Sequence, residues 1–382
     1  MYENLTRLDL VGPALARALD DPGWERLEAT LVSGGKSNLT FELRSDAGEA
    51  VLRRPPDGPL LPRAHDMGRE ARVQRALAPT AVPVAAILFE DAGDLIGVPF
   101  YVMEKVDGHV IRTLPDGWAD SEQDRRAVAD VLVDTLADLH AIDPDEIGLT
   151  GFGRPSGLGE RQVRRWSDQW ERSKSREVPA VDELGRLLRA HPPTGPGGAI
   201  VHGDYRIDNC LMGKQMPPTI KAVLDWELAT LGEPLADLGL FIFYWREPGD
   251  TGPAMTPAPT MQPGFPPRAY LAERYANRTG ADVSGLPSWI ALAHFKFAVI
   301  AQGIAARVQA GAMAGQDFGD IAGEVGRIAA GGLALLTDSG LPVRRRPRRV
   351  TCPARVWFGP AERTIRPASS PVIAAATKDT SR

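Results

Sequence analysis

The sequence predicts an α+β fold, in which an N-terminal antiparallel β-sheet lobe with one helix precedes a larger, mainly α-helical C-terminal lobe. Three observations lead there. Short apolar runs rich in leucine and β-branched residues follow one another at residues 27–33, 38–44 and 49–55, with turn formers at Ser33-Gly34-Gly35 and Asp46-Ala47-Gly48. After Asp107-Gly108 a helical period takes over, with Val128, Val131, Leu132, Thr135, Leu136 and Leu139 recurring along one face. The length of 382 residues and the 43% hydrophobic share suit two closely joined lobes with cores of their own.

Taken in order, the three strand runs form a meander. A helix follows over residues 65–77, where Met67, Ala71, Val73 and Leu77 can face a core while Glu70, Arg72 and Arg75 meet water. Strand-like runs at 85–90 and 95–103 complete the first lobe. In the second, short apolar runs at 199–202 and 220–224 each end at polar residues, and helices are expected at 235–244, 268–279, 289–309 and 321–336. The proline-rich stretch 247–267 reads as a loop. The boundaries fall at 1–104, 105–341 and 342–382, the last having no sustained period and reading as a disordered tail.

The net charge is −5, yet the stretch 342–382 holds ten basic and only two acidic residues, so the rest is markedly acidic. That balance argues against a nucleic-acid-binding surface on the folded part. Cys210 and Cys352 are the only cysteines, too few for a disulfide framework or a cysteine-rich zinc site, and a reducing cytoplasm fits this usage. No uninterrupted apolar run approaches the roughly 18 residues of a spanning helix, so neither a membrane span nor an export signal is expected.

The strongest signal is Ile200-Val201-His202-Gly203-Asp204-Tyr205-Arg206-Ile207-Asp208-Asn209, followed by Val223-Leu224-Asp225-Trp226-Glu227. This pattern resembles the H-G-D-x-x-x-x-N and D-x-E segments of the aminoglycoside phosphotransferase and choline-kinase-like family. It has Gly203 where protein kinases have arginine, and Trp226-Glu227 where they have Phe-Gly. The resemblance implies a bilobal protein-kinase-like fold, ATP and magnesium as cofactors, and transfer of a phosphoryl group to a small-molecule hydroxyl. Asp204 would then accept or orient the acceptor's proton. Asn209 and Asp225 would hold Mg²⁺, a hard cation that selects oxygen ligands. A single Asp or Asn in a loop is ordinarily a turn former. Here two carboxylates follow apolar runs and an amide sits at the family's spacing, which a turn does not require. His202 supports the loop in this reading, Glu227 either completes a metal shell or accepts backbone hydrogen bonds, and Asp237, in Pro234-Leu235-Ala236-Asp237-Leu238, resembles the acid that braces the catalytic loop.

Nucleotide contacts are expected upstream. Ser33-Gly34-Gly35-Lys36-Ser37-Asn38 lies between two strands, where backbone N–H groups could cradle phosphates; alone it would read as a hairpin turn, since it lacks the full glycine-loop and Walker patterns. Arg53 stands where the family has its phosphate-binding lysine, and Glu70 is the matching helix acid. Arginine grips phosphate through a planar fork and is not equivalent to lysine. The subgroup fused to acyl-CoA dehydrogenases is expected to carry arginine here. The run ending Met103-Glu104-Lys105-Val106 resembles the hinge, with backbone groups near Glu104 and Val106 meeting adenine and Met103 bordering it.

For the acceptor, that subgroup implies a hydroxyacyl-CoA or hydroxy acid. An aminoglycoside is the alternative, although the region before the catalytic loop offers Arg161, Arg164 and Arg165 where polycations would want carboxylates. An inactive nucleotide-binding module is the reading from another class; retention of Asp204, Asn209 and Asp225 speaks against it. Trp166 and Trp170, one helical turn apart, read as packing, and the arginines beside them as a solvated face.

Overall fold

The computed structural model describes residues 3–32, 38–56, 66–250, 256–311 and 318–338. Two lobes are present. The first is built on a five-stranded antiparallel sheet of order β1-β2-β3-β5-β4, with β1 Glu28–Leu31, β2 Leu39–Ser45, β3 Gly48–Arg54, β4 Ile87–Asp91 and β5 Phe100–Glu104. The meander read from the sequence is there, with Phe41 opposite Leu52 and Leu43 opposite Ala50 across β2 and β3. These four residues are fully buried; on β2 they alternate with Thr40, Glu42 and Arg44, and on β3 Val51 separates Ala50 from Leu52.

Two features differ from the sequence reading. Before the sheet come α1 Glu3–Thr6 and α2 Leu8–Leu19, for which the sequence reading makes no provision. The latter drives Val11 and Leu15 into the sheet core beside Phe41, Leu52, Phe100 and Val102. The run 95–103 is a strand only from Phe100, because Gly93 and Gly97 take left-handed backbone angles, φ 117° and 78°, that end pairing ahead of it. The expected helix begins at Asp66, whose side chain caps the Arg69 N–H, and forms α3 Met67–Leu77.

The second lobe contains α4 Glu122–Ala141, α5 Leu158–Ser173, α6 Pro179–Ala190, α7 Leu235–Tyr244, α8 Arg268–Thr279, α9 Leu286–Gln309 and α10 Ile321–Asp338. Between α6 and α7 lie two small antiparallel ladders. One pairs β6 Ala199–Val201 with β9 Thr230–Gly232, and the other pairs β7 Cys210–Met212 with β8 Ile220–Val223. Helix α9 starts three residues before the expected position, with Pro287 in its first turn. By length and composition α9 could cross a membrane, with a mean hydropathy of 1.4 in its most apolar stretch. In this fold it packs against α5, α7 and α10, with Ala291, Phe295, Ala298 and Ala301 buried.

The lobes meet through α3 and through the chain after β5. Arg69 donates to the carbonyls of Phe152 and Ala229 and stacks on the Phe152 ring at 3.7 Å, while Arg72 reaches the Gly148 carbonyl. His109 and Met212 exchange two backbone hydrogen bonds of 2.7 and 2.9 Å, which tie the segment following the sheet to β7. The basic segment 342–382 lies outside the described residues.

Candidate active site

The residues singled out in the sequence come from the ends of the two small ladders. Asp204 follows β6, and Asp225 follows β8. Asn209 closes a 3-10 turn, Ile207–Asn209, that runs straight into β7. Because Leu224 donates its N–H to the Asn209 carbonyl at 2.8 Å, Asn209 and Asp225 stand at the same end of one hairpin.

Asp237 holds the loop in shape. Its carboxylate sits fully buried in the first turn of α7 and accepts the His202 and Gly203 N–H groups at 2.6 and 2.7 Å, with His140 Nε2 at 3.3 Å. Burial works to raise its pKa, but the histidine and backbone N–H groups hold it below the usual carboxylate value. His202 lies inside the loop: its Nδ1 accepts from the Asp204 N–H at 3.2 Å, which makes Nε2 the donor to the Leu224 carbonyl at 2.9 Å. The imidazole therefore clips the Asp204 loop to the strand that leads to Asp225. Gly203 has φ 85°, and a Cβ there would sit 2.8 Å from both the Cβ and the carbonyl oxygen of Leu228. Glycine is required on both counts.

Asp204 points into shared space. Tyr244, the last residue of α7, donates its hydroxyl to Oδ1 at 2.8 Å, and the Asn209 amide donates to the Asp204 carbonyl oxygen at 2.9 Å and to Oδ2 at 3.2 Å. Arg206 Nε lies 3.3 Å from Oδ2, at ion-pair distance without hydrogen-bond alignment, while its Nη1 pairs with Asp208 at 3.0 Å. Since the Asn209 Nδ2 is spent on Asp204, its Oδ1 is the atom left for a cation. Asp225 adopts a left-handed backbone, φ 66° and ψ 61°, uncommon for a residue with a side chain and a form of strain that collects at functional sites.

On the sheet side, Arg53 lies between two acids, 3.5 Å from Glu70 and 3.3 Å from Asp225, with its buried Nε lacking a partner. Burial works against its charge, yet the surrounding Tyr101, Glu70 and Asp225 oxygens raise its pKa above the ordinary value. Burial pushes the Glu70 carboxyl up to about 7, outweighing Arg53 and the 2.9 Å hydrogen bond from the Tyr101 hydroxyl. The Asn38 side-chain amide donates to Glu70 at 3.0 Å and to Glu227 at 3.3 Å, so it bridges two carboxylates. Ser33, Gly34, Gly35, Lys36 and Ser37 lie outside the described residues. Met103 and Glu104 end β5, and the Glu104 N–H is already held by the Ala86 carbonyl at 2.8 Å. That N–H is not free for adenine, which leaves the Glu104 carbonyl and the backbone of Val106.

A cavity of about 290 Å³ opens beside Asp204. Apolar side chains from α5, α7 and α9 form most of its wall, with Gln162, Arg165, Tyr244 and Lys296 as polar members. Helix α5 is aimed at it by Glu233, which accepts the Gly157 and Leu158 N–H groups at 2.7 and 3.0 Å. The tryptophan pair divides here. Trp170 is buried and donates to Asp182, whereas Trp166 lines the cavity, and so does Arg165, which the sequence reading leaves on a solvated face. Tyr244, Arg206 and Lys296 were not legible as site residues. Tyr244 lies seven positions after Asp237, two turns along the same face of α7, and Lys296 is the one lysine in a long apolar helix.

Among the described residues no cluster of three or more His, Cys, Asp or Glu forms a self-contained metal site. The donors at hand, the Asn209 amide oxygen and the Asp225 carboxylate, do fit a hard cation that takes its other oxygens from phosphate and water.

Comparison with known proteins agrees with this geometry. Residues 28–258 match the family model described as phosphotransferase enzyme family. The chain is 38% identical over 321 residues to acyl-CoA dehydrogenase family member 11 of Rattus norvegicus, covering 81% of this chain and 40% of that protein, so it spans about two fifths of that relative. A Ralstonia eutropha crystal structure described as a candidate aminoglycoside phosphotransferase superposes with a TM-score of 0.74 at 31% identity, covering 86% of this chain and 98% of that one. The fold also matches a thermostable mutant of the aminoglycoside phosphotransferase APH(4)-Ia, in complex with ADP and hygromycin B, with a TM-score of 0.53 at 16% identity over 87% and 99% of the two chains. The family match over residues 28–258, together with the two-lobed architecture, shows that this chain belongs to the phosphotransferase enzyme family and has a kinase-like fold.

Proposed function

We propose that the chain transfers the γ-phosphoryl group of ATP, with Mg²⁺, to a hydroxyl of a small acceptor seated in the cavity beside Asp204, and that the acceptor is a hydroxy acid or hydroxyacyl-CoA. The observation that carries this reading is the placement of Asp204: one carboxylate faces the cavity while held by Tyr244 and by Asn209, whose amide oxygen would hold the metal together with the neighbouring Asp225. Magnesium, when bound there, supplies positive charge over the phosphate oxygens.

The remaining chemistry belongs to the chain. The acceptor hydroxyl gives its proton to the Asp204 carboxylate as its oxygen bonds to the γ-phosphorus and the bond to the ADP oxygen breaks. Tyr244 fixes the direction of that carboxylate. Arg53, permanently charged and paired among the described residues with two acids, is the cation for the phosphates, and its fork suits them. The wall of the cavity keeps water away from the transfer.

An acyl acceptor is favoured because the lining is apolar and its free cations are Arg165 and Lys296, a poor lining for a polycationic sugar. The test is ADP formation with Mg²⁺ and ATP against hydroxyoctanoate isomers, their CoA thioesters, an aminoglycoside and choline. Turnover of a hydroxyacyl compound that Asp204→Asn abolishes is the expected result. Turnover of the aminoglycoside or choline alone would overturn the acceptor class.

A further inference from the structure

Lys296 sits in the middle of α9, on the cavity wall, and its surroundings do not explain it. Among the described residues its ammonium makes no hydrogen bond and no ion pair; what it has are the faces of Trp166 and Phe297, both 5.9 Å away. That separation is at the outer limit of a useful cation–π contact. Its neighbours along the helix are occupied elsewhere, His294 with the Ile328 carbonyl at 2.8 Å and Phe295 in the core. Asp204 lies on the same cavity, yet it is Arg206 that approaches it to ion-pair distance.

An ammonium among apolar groups costs free energy unless something answers its charge. Burial lowers the Lys296 pKa, and Asp204 offsets this only in part. Arg165, also on the wall, adds charge of the same sign, and Gln162 offers none to oppose it: its Oε1 accepts from Trp166 Nε1 at 3.1 Å. Both carboxylates on the wall, Asp204 and Asp237, are already engaged.

We propose that Lys296 is the residue that recognises the acceptor, holding an anionic oxygen group of it inside the cavity while the acceptor's hydroxyl lies against Asp204. This rests on the reading of the cavity as the acceptor site. The anionic group is a free carboxylate or a phosphate of a carrier-bound acyl thioester, and the apolar wall takes the hydrocarbon part. A lysine serves here where an arginine is already committed beside the reacting carboxylate: a compact charge on a flexible stem can follow acceptors of different length.

The experiment is equilibrium binding by calorimetry to the full chain, with octanoate, octanol, octylamine and octanoyl-CoA, for wild type, Lys296→Met and Lys296→Arg. Octanoate or octanoyl-CoA is expected to bind wild type more tightly than octanol, and Lys296→Met should weaken that anion about 10- to 100-fold, the range of one charge-assisted hydrogen bond, while leaving octanol unchanged. Lys296→Arg should recover part of the loss. Dependence on Lys296 seen with octanoate identifies the carboxylate, and dependence seen with octanoyl-CoA alone identifies the carrier phosphate. Equal anion binding by wild type and Lys296→Met would overturn the proposal. So would octylamine binding wild type as well as the tighter of octanoate and octanoyl-CoA does, a result that needs no variant to fold. Because binding is measured without ATP, the outcome is separate from phosphoryl transfer: Lys296-dependent binding without turnover of any hydroxyoctanoate would sink the proposed reaction and leave the anion site standing.

Discussion

The Tyr244 hydroxyl donates to Oδ1 of Asp204 across 2.8 Å, joining the end of an apolar core helix to the carboxylate in the loop after β6. Burial raises the tyrosine's pKa well above its ordinary value, so it remains a donor at any working pH. Tyr244→Phe should lower kcat about tenfold, the worth of one hydrogen bond to a charged group, with little change in KM for ATP. Asp204→Asn should cost about 100- to 10,000-fold, as expected for loss of a general base. Steady-state ADP release, with circular dichroism to confirm folding, reads both. Wild-type kcat in Tyr244→Phe would show the contact to be incidental.

Asp237 should matter to stability before it matters to rate. Asp237→Ala strands two buried N–H groups and His140, a loss of about 3–5 kcal/mol in urea unfolding. Its folded pKa lies below the ordinary 3.8, so its contribution is intact above that value and disappears as pH falls through the lower, folded one. A shift of under about 1 kcal/mol would mean that the loop finds other partners.

Glu70 carries the opposite sign. With a folded pKa of about 7 against 4.5 unfolded, the folded state keeps a proton that the unfolded chain has released between those values. That contribution is present at low pH and is lost as pH rises through 7. Wild type should therefore lose urea stability between pH 5.5 and 8, and Glu70→Gln should show a flatter profile. Identical profiles would place the Glu70 pKa elsewhere.

Gly203→Ala tests the shape of the loop alone. The added methyl meets backbone and Cβ of Leu228 at 2.8 Å in a backbone region that alanine avoids. Turnover should fall at least tenfold while α-helical content is kept. Full activity would show that the loop can move aside at no cost.

How much of this could be read from residues depended on whether the signal was local. The strand alternation of β2 and β3, the period of α4 and the chemistry-bearing run from His202 to Asn209 are local, and each appears where the sequence puts it. The boundary of β5 was obscured because Leu95 and Ile96 are apolar, while the glycines at 93 and 97 decide the backbone. Tyr244 and Lys296 could not be found by pattern. Each sits in a run that satisfies the rule for a core helix, and only the packing of α5, α7 and α9 around one cavity turns them toward Asp204. Asn38 adds a contact that no local pattern gives, its side-chain amide joining carboxylates brought in from α3 and from the turn after Asp225.

The double hydrogen bond between His109 and Met212 has a mechanical consequence. Beyond β5 only Lys105, Val106, Asp107 and Gly108 separate the sheet from a point riveted to the hairpin that carries Asn209, and a Cβ on Gly108 would lie 2.6 Å from the Met212 carbonyl oxygen. Any rocking of one lobe over the other must be taken up within that four-residue strap and at the Arg69 and Arg72 contacts of α3. The pivot thus lies beside the backbone proposed to meet adenine, and a purine wedged there would stiffen the joint it touches.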